Sequence, residues 1–142
     1  MPEPASFDAA VIMSQSFGLF ESAANLALLI TIGRGLRANG RIVLDLWNPE
    51  FFAAHQDERE FQTSCGPVRE SKRMVDDRLL VELTYSNGVH ERFEWQTFMP
   101  VAMGSFAAEA GFDLVNACTD FELSTPPSSS KPRIQFLLQR QA

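Results

Sequence analysis

The short polar residues that end the first apolar run are where chemistry is easiest to place. In "SFDAAVIMSQSFGLF", Ser14, Gln15 and Ser16 follow Met13 directly. Short polar groups at the carboxyl end of a parallel strand suit ligand binding in α/β sheets. The plainer alternative is that Ser14 and Ser16 cap a turn. Asp45 stands inside a second apolar run, "RIVLDLW", either as a satisfied polar residue or as a site residue near a strand end. Asn48, just beyond it, either borders a site or starts the turn before Pro49. Cys65 and Cys118 lack any metal spacing, and with the distant His55 and His90 they gather no set of four ligands. Both cysteines read as plain thiols and both histidines as solvated side chains. No Ser-His-Asp or Cys-His arrangement is visible.

Several elements must position these residues. Asp8 to Ser14 reads as a strand, with Ala9 to Met13 running on without polar alternation, the pattern of a parallel strand buried on both faces. A helix is expected from Ser22, its N-cap, to Ala38. Its apolar stripe is Ala24, Leu28, Ile32 and Leu36, widened by Leu26 and Leu29, and Asn39-Gly40 supplies the left-handed stop. Arg41 to Trp47 is the second strand. Strand, helix and strand make a βαβ unit, so these two strands should run parallel with a right-handed crossover.

The spacing then changes to the short period of an antiparallel β-meander, about residues 61 to 98, with reversals at Asp76-Asp77 and Asn87-Gly88. A two-residue Asn-Gly loop would mix polar and apolar residues on each face. A three-residue loop, Ser86 to Gly88, pairs Tyr85 with Val89, Val81 with Phe93 and Leu79 with Trp95, giving one apolar face. A one-residue slip would invert every side chain, so the spacing predicts a type I turn with Gly88 left-handed. Tyr85, Phe93 and Trp95 then form either a lid or dimer surface, or a face packed on the rest of the chain. Pro100 opens a short helix that Gly111 closes, with Phe106, Ala107 and Ala110 toward the sheet. Phe112 to Thr119 is a strand, Phe121 to Pro132 a loop, and Arg133 to Gln139 a closing strand.

The chain has 142 residues and a formal charge of −6. Its twelve Lys and Arg are scattered, whereas binding nucleic-acid phosphates needs them clustered, so no nucleic-acid partner is expected. No apolar run approaches the roughly 20 residues of a membrane span. The N-terminus lacks the pattern of a secretion signal, so no membrane association and a cytoplasmic location are expected. The acidic balance and the phenylalanines of "SFGLF" and "NPEFF" suit a small-molecule substrate better than a nucleic acid.

The ordered series "SFDAAVIMSQSFGLF", "NLALLITIGRGLRANGRIVLDLWN", "EAGFDLVNA" and the last strand resembles the C-terminal half of class I S-adenosylmethionine-dependent methyltransferases. The resemblance covers nearly all of residues 6 to 139. It implies an α/β fold: part of a Rossmann-like sheet, with two parallel strands and a closing antiparallel pair, and the meander inserted into a single partial domain, residues 1 to 142. The first run then corresponds to the family's fourth strand and "RGLRANGRIVLD" to the entry into its fifth. The resemblance makes S-adenosylmethionine the implied cofactor, with Met13, Ser14, Gln15 and Ser16 meeting its methionine end. It implies that Phe17 and Phe20 wall the methyl-transfer cavity, with Trp47 and Asn48 on the opposite rim. The plainer alternative is that both phenylalanines and Trp47 are core. No metal is implied and no catalytic base stands out. Methyl transfer does not always need one, because orientation and desolvation supply much of the rate.

One departure from the family is large. Its acidic, glycine-rich cofactor loop has no counterpart, since Gly18, Gly33, Gly35 and Gly40 form none. The resemblance casts "PEPAS" as the linker before the fourth strand, with three earlier strands lost naturally, through a mis-assigned start, or by cloning. The chain alone is then expected to be inactive. The fourth strand would lie at an unprotected sheet edge, and such edges pair with other chains. A homodimer through this edge or the meander, or a separate N-terminal half, is the expected partner. The competing expectation is a non-catalytic dimeric binding or structural module.

Overall fold

The computed structural model describes residues 6–142, so Pro2 to Ala5 of the expected linker lie outside the described residues. Two four-stranded sheets share the chain. The first has β1 (Phe7–Ile12), β2 (Leu36–Trp47), β7 (Phe112–Cys118) and β8 (Arg133–Arg140), in the order β1-β2-β8-β7. The second contains β3 (Asp57–Thr63), β4 (Gly66–Val75), β5 (Arg78–Tyr85) and β6 (His90–Gln96), in simple sequence order. The helices are α1 (Ser22–Gly35), α2 (Pro49–Ala54) and α3 (Pro100–Glu109).

The parallel pairing of β1 with β2, and the antiparallel pairing of β7 with β8, match the expected arrangement. The burial of β1 does not. It lies at the sheet edge, and Phe7, Ala9 and Val11 are exposed while Ala10 and Ile12 meet the core. An apolar run without alternation predicts burial on both faces, and here only one face is covered. The strand also ends at Ile12, leaving Met13 and Ser14 in the following loop.

α1 departs from expectation at both ends. Ser22 is its first helical residue rather than its cap, and Glu21 holds the cap position without a side-chain hydrogen bond. The helix stops at Gly35, and Leu36 is already extended and paired with Phe7. Strand pairing outcompetes the helix propensity of Leu36 to Ala38. Asn39 does adopt a left-handed φ of 64°, but within the irregular start of β2. The buried stripe is Asn25, Leu29 and Gly33, one position on from the expected one. Leu28 and Ile32 flank it and Ala24 is exposed.

The second sheet follows the predicted register. Leu79 pairs with Trp95 and Val81 with Phe93. Tyr85 N–H donates to Val89 O at 2.9 Å, and Gly88 N–H to Tyr85 O at 3.0 Å. Gly88 has φ +83°, the left-handed conformation the three-residue loop requires. A third reversal at Ser64-Cys65 brings β3 into the sheet, so its strands begin at Asp57, before the expected start.

The main core lies on one face of the first sheet, under α1 and α3. Ile42, Leu44 and Leu46 of β2 and Ile134, Phe136 and Leu138 of β8 are wholly buried there. Each such side chain contributes about 1.5–3 kcal/mol of transfer free energy. From α3, Ala107 is buried and Phe106 and Ala110 pack against this core, as expected. A smaller cluster, Phe52, Leu79 and Val81, joins the second sheet to α2 and the end of β2, with Trp47 and Trp95 against it.

Candidate functional site

The loop after β1 is built from strained backbone. Ser14 and Gln15 have φ of 54° and 61° in succession. Left-handed non-glycine residues cost about 1–3 kcal/mol each and persist only where the surroundings over-determine them. Here β2 does so. Gln15 N–H donates to Asp45 O at 3.1 Å, and Ser14 N–H to Asp45 Oδ2 at 3.2 Å. The Gln15 side chain donates to Phe17 O at 3.0 Å and accepts from Trp47 N–H.

Asp45 is the hub. Its carboxylate is buried, and besides Ser14 N–H it accepts from Arg133 Nη1 at 2.8 Å and Gln135 Nε2 at 2.9 Å. It is thus a satisfied polar residue, and it fixes the loop that carries the exposed side chains. Arg133 in turn lies over the Trp47 ring, 4.5 Å from its centroid.

Four of the sequence-derived residues present side chains outward: Met13, Ser14, Ser16 and Phe20 are exposed. Ser16 Oγ donates to Met13 O at 2.8 Å, the turn-capping role. Gln15, Phe17 and Asn48 are buried. Phe17 packs as core, its ring centroid 6.2 Å from those of Phe98 and Phe106. Asn48 is consumed by structure. It caps α2 by accepting from Glu50 N–H at 3.0 Å, and its Nδ2 donates to Ser128 O and Lys131 O at 2.9 and 3.0 Å. Trp47 is half-buried in the joint between the sheets, edge-on to Trp95 at 6.4 Å. Its indole N–H is buried without a partner.

Two residues that sequence reasoning missed hold the loop from the other side. Gln96 N–H donates to Gly18 O at 2.8 Å. A Cβ at Gly18 would meet Gln96 O at 2.7 Å, so only glycine allows this approach. The buried Asn25 Nδ2 donates to Gln96 Oε1 at 2.8 Å, and Gln96 Nε2 to Ser22 Oγ at 3.2 Å. Asn25 Oδ1 also accepts from Phe20 N–H at 3.1 Å. A lone polar residue in an apolar helix stripe was the available signal for Asn25.

The site is an open rim. A cavity of about 480 Å³ lies between α3, the β4–β5 turn and the exit of β6, lined by Gln96, Phe98, Met99 and Phe106 with Asp76 and Asp77. His55 and His90 are exposed. Cys65 is exposed, while burial raises the pKa of the Cys118 thiol.

No family model and no curated sequence matches this chain. Solved structures do. An S-adenosylmethionine-dependent methyltransferase from Clostridium acetobutylicum shares 10% identity at a TM-score of 0.76, over 96% of this chain and 59% of that one. The CcbJ methyltransferase from Streptomyces caelestis shares 14% at 0.74, over 96% and 58%. CalS10 from Micromonospora echinaspora, an amino pentose methyltransferase solved with S-adenosylmethionine bound, shares 16% at 0.65, over 96% and 59%. At such identities the likeness is one of fold, and this chain spans about three fifths of the length of each. The parallel β1–β2 pair therefore belongs to a fold that this chain shares with about three fifths of these S-adenosylmethionine-dependent methyltransferases.

Proposed function

We propose that this chain is the acceptor-side portion of an S-adenosylmethionine-dependent methyltransferase acting on a small molecule, and that it is inactive without the remainder of the fold. One observation carries the reading. A strained loop at the carboxyl end of a parallel strand is held rigid by a buried carboxylate, Asp45, and displays Met13, Ser14 and Ser16 outward. Backbone strain of this kind clusters at ligand sites.

The residues fit the cofactor in part. Met13, Ser14 and Ser16 have exposed side chains for its methionine end, whereas Gln15 is committed to Trp47 and Phe17. When bound, S-adenosylmethionine supplies an electrophilic methyl group on its sulfonium. The task of this chain is orientation. Asp45 fixes the loop, Phe20 and Trp47 border the rim, and a further polypeptide segment supplies the glycine-rich loop and excludes water. The amino pentose methyltransferase among the similar structures supports a small-molecule acceptor.

Calorimetric titration with S-adenosylmethionine tests the two-part reading. The chain alone should give no tight binding, and tight binding would overturn it. Reading the coding DNA upstream tests the complement, where an in-frame glycine-rich loop is expected. The exposed edge of β1 favours a second reading, a non-catalytic module that assembles through that edge. Absence of any such loop would select it.

A further inference from the structure

We propose that the cavity between α3 and the β4–β5 turn binds an organic cation, an apolar body carrying a protonated amine, and that this is the chemical class of the methyl acceptor. Its volume is about 480 Å³. Small-molecule sites occupy about 300–1,000 Å³. Every lining residue comes from residues 49–109, so its walls do not depend on what precedes β1.

The floor of the cavity is aromatic. Phe98 and Phe106 pack with ring centroids 4.8 Å apart, the first buried and the second half-buried. Ala102, Ser105, Phe106 and Glu109 recur at the spacing that shares one helix face, so α3 lays a single stripe along the cavity. The facing wall is the β4–β5 turn. Thr97 fixes it, since both its N–H and its Oγ1 donate to Asp77 O at 2.7 Å.

The charge at the mouth has one sign. Asp76, Asp77 and Glu109 all line the cavity and are exposed. Among the described residues none of the three carboxylates is paired with a cation. Arg78, next along the chain, instead donates to Phe20 O at 2.9 Å. Met99, at the N-cap of α3, also lines the cavity. A helix N-terminus carries about half a positive charge, which three carboxylates outweigh. Among the described residues no three His, Cys, Asp or Glu are grouped to hold a metal ion. Separated carboxylates above an aromatic floor suit an organic ammonium, which aromatic rings also attract.

Gln96 lines this cavity and also holds Gly18 of the loop after β1. That the occupant is the methyl acceptor rests on the proposed function. That it is a cation rests on the cavity alone.

The test is a titration of the isotope-labelled chain followed by amide NMR shifts, with no S-adenosylmethionine present. Three probes share one apolar body: 4-phenylbutylamine, 4-phenylbutanol and 4-phenylbutanoate. The amine should bind saturably, shift the amides of Ala102, Ser105 and Glu109, and bind about fivefold tighter than the alcohol. The butanoate should bind more weakly than either. Asp76→Asn with Asp77→Asn and Glu109→Gln should make amine and alcohol equal. Removing the same charge from β3, by Asp57→Asn with Glu58→Gln and Glu60→Gln, should leave the preference intact. If the cavity variant misfolds, the three probes on the native chain decide alone. No amine binding, an amine no tighter than the alcohol, shifts away from α3, or equal loss in the β3 variant each overturns the proposal. Those failures leave the cofactor titration and the upstream sequence to judge the methyltransferase reading separately.

Discussion

Asp45 is the residue on which the candidate site turns. Three groups from two segments converge on its buried carboxylate: Ser14 N–H from the loop after β1, and the Arg133 guanidinium and the Gln135 amide from β8. Asp45→Ala leaves a guanidinium and two N–H groups without an acceptor, a loss worth about 3 kcal/mol. The midpoint of urea unfolding should fall with the slope unchanged. Asp45→Asn keeps the volume and one acceptor, so its loss should be smaller. An Ala variant as stable as the native chain would show that the network does not hold the loop. The sequence placed an acidic residue in an apolar strand but not its partners, because Arg133 and Gln135 arrive from a strand 88 and 90 residues away.

At the scale of elements, the β5–β6 hairpin was the most legible feature. Leu79, Val81, Phe93 and Trp95 alternate cleanly, and a single loop length puts them on one face. Gly88→Ala tests the geometry. No atom lies within 4 Å of the added Cβ, so only the φ of +83° opposes it. The cost should be about 1 kcal/mol, and Gly88→Asn should cost less because asparagine tolerates this conformation. Equal stability of all three forms in thermal melts would contradict the left-handed turn. α2 was less legible, since six residues are too few for periodicity, although Asn48 followed by Pro49 is a proper cap signal. The end of α1 was not legible at all, because pairing of Leu36 with Phe7 decides it. Which of Met13 to Ser16 faces outward was equally hidden. It depends on two left-handed residues that no local pattern announces. Gln96 escaped notice because its side chain is satisfied by Asn25 and Ser22, more than 70 residues away.

The whole molecule has two cores of unequal depth. The first encloses β2 and β8 beneath two helices, while the second rests on Phe52, Leu79 and Val81. The outer strand β3 is almost wholly exposed. Elements with little buried apolar surface open first, so amide hydrogen exchange should release β3 and β6 well before β2 and β8. Simultaneous exchange of both sheets would show one cooperative unit instead. The joint between them has a practical corollary. Trp47 and Trp95 are the only tryptophans in the chain, and both stand in that seam, 6.4 Å apart. Ultraviolet-excited emission therefore watches the seam and the end of β2 that enters it, so an intensity change on heating marks the parting of the two sheets.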